Sequence, residues 1–67
     1  MKFTLNNRPE EIDRESLTVE EMLQIKKFSF RMRIVRINDR LIKREAYSET
    51  AIKEGDNVQM LYLMSGG

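Results

Sequence analysis

The 67-residue sequence contains no cysteine and no histidine. Without cysteine there can be no disulfide, no thiolate nucleophile and no cysteine-based zinc site. Without histidine the usual near-neutral general base, which is also the commonest metal ligand, is missing. Tryptophan is absent too, proline occurs once and glycine three times. No apolar run approaches the roughly 18 residues of a membrane span. The opening stretch from Met1 to Glu10 lacks the apolar centre of a secretion signal. The expected setting is therefore the cytoplasm, with no membrane partner. A chain this short is one domain or less. By surface scaling it buries only about 60% of the surface its unfolded form exposes. A multidomain enzyme with its own cofactor domain is excluded. What remains is a carboxylate or lysine enzyme, a binding domain, or a protein used as the substrate of another.

The apolar share, 40%, is enough for a folded core and too high for a disordered chain. The net charge is +1, but the charges are unevenly placed. Residues 1–25 hold three basic and six acidic side chains, residues 26–44 eight basic and one acidic, and residues 45–67 one basic and four acidic. A basic block between acidic flanks reads either as a solvated surface or as a docking surface for an acidic patch on a partner, with Arg33 and Arg36 its candidate contacts. A nucleic-acid reading would use Arg31, Arg33, Arg36 and Arg40 on phosphates. Arg33 and Arg36, however, point to opposite faces of an alternating strand, and net charge is nearly neutral. No nucleic-acid partner is expected.

Lys2-Phe3-Thr4-Leu5 alternates and predicts a strand with Phe3 and Leu5 inward. Asn6-Asn7-Arg8-Pro9 is turn chemistry. A second strand is expected from Glu10 to Asp13, and Pro9 requires an edge or a strand start. Thr18-Val19-Glu20-Glu21 fits a capping box, with Leu17 and Met22 at the positions of a hydrophobic staple. The helix it opens is expected over Val19 to Lys27, with an irregular exit because no glycine stops it. Arg33 to Ile37 reads as a strand, Asn38-Asp39-Arg40 as a turn, and Leu41 to Lys43 as the return. Arg44 to Thr50 reads as a bend or one 3₁₀ turn, with Tyr47 and Ile52 in the core. Gly55 serves a second turn. Val58 to Met64 is the longest strand candidate, apolar on both faces and therefore central. The fold class is α+β, a mostly antiparallel sheet wrapping one helix. Residues 1–63 are expected to form a single domain and 64–67 a flexible tail.

The chain closes Ser65-Gly66-Gly67, so two of its three glycines are the last two residues. Helix capping does not explain them, because a strand precedes them. Fraying ends tolerate small residues, which is one reading. The other is geometric. Glycine has no Cβ, so an extended Gly-Gly enters a channel too narrow for other residues. The last five residues reach about 16 Å when extended. The Gly67 carboxylate is a poor electrophile until activated, for instance by adenylation with ATP. The sequence offers no base, metal site or phosphate loop for that step, so the apparatus would belong to a partner.

Leu17-Thr18-Val19, Val35-Arg36-Ile37-Asn38, Ile42-Lys43-Arg44-Glu45, Tyr47, Glu54-Gly55-Asp56-Asn57-Val58 and the closing Gly66-Gly67 occur in the order and spacing of one family. Over essentially the whole chain the sequence resembles the ThiS sulfur carriers, ubiquitin-like β-grasp proteins. Lys43 stands where that family often has proline, and Asp39 where it often has glycine. The resemblance implies that Gly67 is adenylated by a ThiF-like enzyme using ATP and magnesium, with no cofactor bound by the carrier itself. The adenylate becomes a thiocarboxylate, with sulfur drawn ultimately from cysteine through a protein such as a cysteine desulfurase. A ThiG-like synthase then uses it for the thiazole of thiamine. Gly67 would carry the sulfur and Ser65 and Gly66 the tail. Met60, Tyr62 and Met64 are expected as contact surface beside it. The open alternatives are a sister carrier for molybdopterin or another pathway, a ubiquitin-like modifier of lysines, and a small autonomous enzyme, for which no carboxylate pair has a marking spacing.

Overall fold

Asn6 and Asn7 adopt φ of 52° and 66°. Two successive left-handed residues are the pattern of a type I′ turn, whose twist matches that of the strands it joins. In the computed structural model, which describes residues 1–28 and 32–62, this turn links β1 (Lys2–Leu5) to β2 (Arg8–Glu11), with Leu5 opposite Arg8. The second strand therefore starts earlier than the expected Glu10, because the turn uses two residues and places Arg8 directly in register. Pro9 is tolerated because β2 is an outer strand. Asn38 and Asp39, at φ of 51° and 68°, repeat the device between β4 (Arg33–Ile37) and β5 (Arg40–Ile42). Aspartate is among the few side chains that accept this geometry, so Asp39 can fill a glycine position.

The capping box forms as expected. Thr18 Oγ1 accepts the Glu21 N–H at 3.1 Å, and Glu21 Oε1 accepts the Thr18 N–H at 2.9 Å. It opens α1 (Val19–Ile25), which is shorter than the expected span. The exit is regular rather than irregular. Lys27 turns left-handed at φ 60° and donates its N–H to the Gln24 carbonyl, while Phe28 donates to the Leu23 carbonyl at 2.8 Å. This is a Schellman ending with lysine where glycine is usual. A left-handed lysine costs about 1 kcal/mol. Packing of Phe28 against the core supplies the hydrophobic contact that offsets it. Lys26 ties the helix end to β2 through Glu10 Oε1 at 2.9 Å.

The Glu21 carboxyl is held below its ordinary pKa, first by the Thr18 backbone N–H and then by Arg14, whose guanidinium lies 2.7 Å away. A carboxyl with a lowered folded-state pKa stabilises the fold above its unfolded value, and that contribution is lost as pH falls through the folded value. The Glu21→Gln variant keeps the cap but not the charge. Its urea midpoint should fall below that of the parent at neutral pH and converge on it in acid. Parallel curves across that range would contradict this account of Glu21.

A second, two-stranded sheet was not legible in the sequence. β3 (Leu17–Thr18) pairs antiparallel with β6 (Ala51–Ile52), and the Val19 and Glu20 N–H groups bond the Thr50 and Tyr47 carbonyls. The first turn of the helix is thus fixed to the loop that follows the 3₁₀ turn at Arg44–Ala46. β7 (Asn57–Tyr62) is the central strand of the main sheet, ordered β2-β1-β7-β4-β5. It runs parallel to β1 and antiparallel to β4. The sheet is mixed and mostly antiparallel, and the core gathers Phe3, Leu5, Val35, Ile37, Val58 and Met60 with Val19, Met22 and Leu23 of the helix. Tyr47 and Ile52 are buried as expected. This is the β-grasp arrangement.

Candidate functional site: the root of the tail and the open sheet face

Alternation along β7 sends Val58 and Met60 to the helix side and Gln59 and Leu61 to the other. Met60 is 3% exposed. Its expected role as contact surface is therefore corrected: it is a core side chain, because the helix covers its face of the sheet. Tyr62 has the same parity but lies at the strand end and is 50% exposed. It is available as surface at the root of the tail. Leu63, Met64, Ser65, Gly66 and Gly67 lie outside the described residues, as does Arg31.

β4 brings the remaining expected contacts into place. Arg33 lies opposite Tyr62 in register. Its guanidinium carbon stands 5.4 Å from the centre of the Tyr47 ring, within cation–π range. Arg33 is half-buried, whereas Arg36 is exposed on the opposite face. The two arginines cannot serve one docking patch, since three residues along a strand reverse the side-chain direction. Tyr62 and Arg33 are brought together; Arg36 is brought instead beside Leu41 and Gln59.

Two features escaped sequence reasoning. Leu61 and Leu41 are 51% and 62% exposed on the face without a helix, with Ile34 opposite Leu61. Apolar character on both faces of β7 signals its central position correctly. It does not mean that both faces are covered. The second feature is Asn6. Parallel pairing of β1 with β7 ends at Leu5 and Val58. Beyond it the Asn6 amide acts as a substitute strand: Nδ2 donates to the Met60 carbonyl at 3.0 Å, and Oδ1 accepts the Met60 N–H at 2.8 Å. Both backbone groups of Met60 are thus satisfied on the β1 side, two residues before Tyr62. The turn propensity of Asn6 was visible in the sequence; this long-range bond pair was not.

Among the described residues no group of three His, Cys, Asp or Glu side chains is placed to hold a metal ion. No described helix is long and apolar enough to cross a membrane.

The ThiS family model matches residues 3–67. The crystal structure of a thiamine biosynthesis protein, ThiS, from Geobacter metallireducens is 39% identical and superposes with a TM-score of 0.88, each chain covered in full. An NMR solution structure of a thiamine biosynthesis protein from Geobacter metallireducens is 38% identical with a TM-score of 0.81, covering all of this chain and 88% of that one. No curated protein gives a significant match. With the mixed β-grasp sheet in place and the family pattern running from Phe3 to Gly67, this chain belongs to the ThiS family of small sulfur-carrier proteins.

Proposed function

We propose that this chain carries sulfur as a thiocarboxylate on Gly67 and delivers it for thiazole formation in thiamine biosynthesis. The observation that carries the reading is the family match extending to the closing Gly66-Gly67. The Gly67 carboxylate attacks the α-phosphorus of ATP on a ThiF-like enzyme with magnesium, releasing pyrophosphate and leaving an acyl adenylate. The outer sulfur of a persulfide supplied through a cysteine desulfurase or similar protein then displaces AMP, and a thiol of a partner protein cleaves the resulting acyl disulfide, freeing the thiocarboxylate and leaving a disulfide on the partner. A ThiG-like synthase takes the sulfur, and the carboxylate returns. The chain is a co-substrate in each step, and catalysis resides in its partners. The thiamine branch is favoured over a molybdopterin one by the likeness to the thiamine biosynthesis protein of Geobacter metallireducens.

The test is exchange of labelled pyrophosphate into ATP by the cognate activating enzyme. Exchange should require this chain and should stop when the Gly67 carboxylate is amidated. Exchange that continues on the amidated chain, or none at all with an enzyme of proven activity, would overturn the adenylation step.

A further inference from the structure

Where β5, β4 and β7 lie side by side, the open face of the sheet is largely apolar around Arg36. Directly paired residues of antiparallel strands project from the same face, with their Cβ atoms about 5 Å apart. Arg36 is paired with Leu41 on one side and Gln59 on the other, and Ile34, two residues along the same strand, is paired with Leu61. The Arg36 guanidinium therefore belongs to a patch whose other members are Ile34, Leu41, Leu61 and Gln59, with no carboxylate among them. Among the described residues the ion pairs are Arg14 with Glu21 and Lys26 with Glu10, and Arg36 takes part in neither. The patch continues along β7 to the root of the tail, one residue beyond Leu61.

Leu61 adjoins the last described residue of β7, so this patch borders the strand end that an enzyme engaging the tail has to approach. Covering Leu41 and Leu61 releases water from apolar surface, but the same contact strips water from Arg36. A desolvated cation without a counter-charge is costly, while one matched by a carboxylate is tolerated or favourable. We propose that Arg36 is a specificity-determining contact. It admits an activating enzyme whose apolar docking surface holds an aspartate or glutamate opposite it, and it rejects surfaces that are purely apolar or basic there. This deepens the reading of Gly67 as the charged group and rests on it.

The experiment is steady-state charging by the cognate activating enzyme at saturating ATP, with carrier concentration varied. The chains compared are the parent, Arg36→Lys, Arg36→Ala and Arg36→Glu, their folding checked by thermal melts. Arg36→Glu should raise the carrier KM at least about thirty-fold, since like charges meet across the contact, with kcat unchanged. Arg36→Ala should raise KM about ten-fold, and Arg36→Lys should stay within about three-fold of the parent. If Arg36→Glu and Arg36→Ala both keep the parent KM, the inference is wrong and the face docks by apolar contact alone. A fall in kcat at constant KM would also overturn it, by moving Arg36 into the chemical step. If the parent chain itself is not charged by an enzyme of proven activity, the reading of Gly67 fails and this inference falls with it.

Discussion

Deleting Gly67 should abolish charging completely while leaving folding stability within about 0.5 kcal/mol of the parent. Among the described residues the buried members of the core run from Phe3 to Met60. Removal of the last residue takes nothing from that cluster and breaks none of the hydrogen bonds that hold β7 to β1, to β4 and to Asn6. The chemical effect is total for a different reason. The deletion leaves a carboxylate one residue short, on Gly66, and the reacting atom no longer reaches a site that tolerates about 1 Å of misplacement at most. Gly66→Trp should have the same outcome with the carboxylate retained, because a side chain fills the space in which a bare backbone travels. The checks are charging assays beside urea unfolding curves of all three chains. A stability loss above about 1 kcal/mol would mean that the tail packs on the domain, contrary to a carrier role.

The second large effect belongs to the helix. Met22→Ala should cost about 2–5 kcal/mol. A domain of this length holds only about 3–10 kcal/mol in total, so the variant should be substantially unfolded at 37 °C. The size of the effect follows from how little else holds α1. A seven-residue helix is far below the length that is stable alone. Its anchors are Val19, Met22 and Leu23, and Met22 is fully buried against the sheet. The capping box and the ion pair of Lys26 with Glu10 orient the helix but lie nearer the surface. Urea unfolding of the variant is the check. A loss under about 1 kcal/mol would mean that neighbouring side chains collapse into the space and that the core is less tightly specified than its burial indicates.

Much of this fold was legible because its signals are local. The capping box at Thr18 and Glu21, the two asparagine turns and the left-handed Gly55 at φ 83° act within four residues of themselves. Apolar character on both faces identified β7 as the central strand. What escaped was long-range. The small sheet of Leu17–Thr18 with Ala51–Ile52 consists of two residues on each side, too few for any alternation to show. The Schellman ending at Lys27 was hidden because the residue is not glycine, and the compensating Phe28 contact exists only in the folded chain.

The site divides in the same way. Tyr62 is half-exposed at the end of β7, whereas Met60, expected on the surface beside it, lies in the core. Sequence parity groups Met60 with Tyr62, and nothing in the sequence reveals that the helix covers one and not the other. The patch of Ile34, Arg36, Leu41 and Leu61 needs the register of β4 with both neighbours before its members meet. The Gly66-Gly67 ending needs no fold at all to be seen, and the absence of cysteine gives it meaning. A sulfur carrier with no thiol must hold sulfur on another group, and the Gly67 carboxylate is the group proposed.

That claim is tested most directly by the accurate intact mass of the chain after incubation with its activating enzyme, ATP and a sulfur donor. Replacement of one carboxylate oxygen by sulfur should add about 16 Da. The five methionines make accurate mass essential, because one sulfoxide adds nearly the same amount, about 16 Da. A thiol-specific alkylating reagent separates the two, since the chain has no cysteine to react. The expected result is a single alkyl adduct per chain, located at Gly67 and lost when Gly67 is deleted. An unaltered mass, or a gain of 16 Da that the reagent does not touch, would contradict the account.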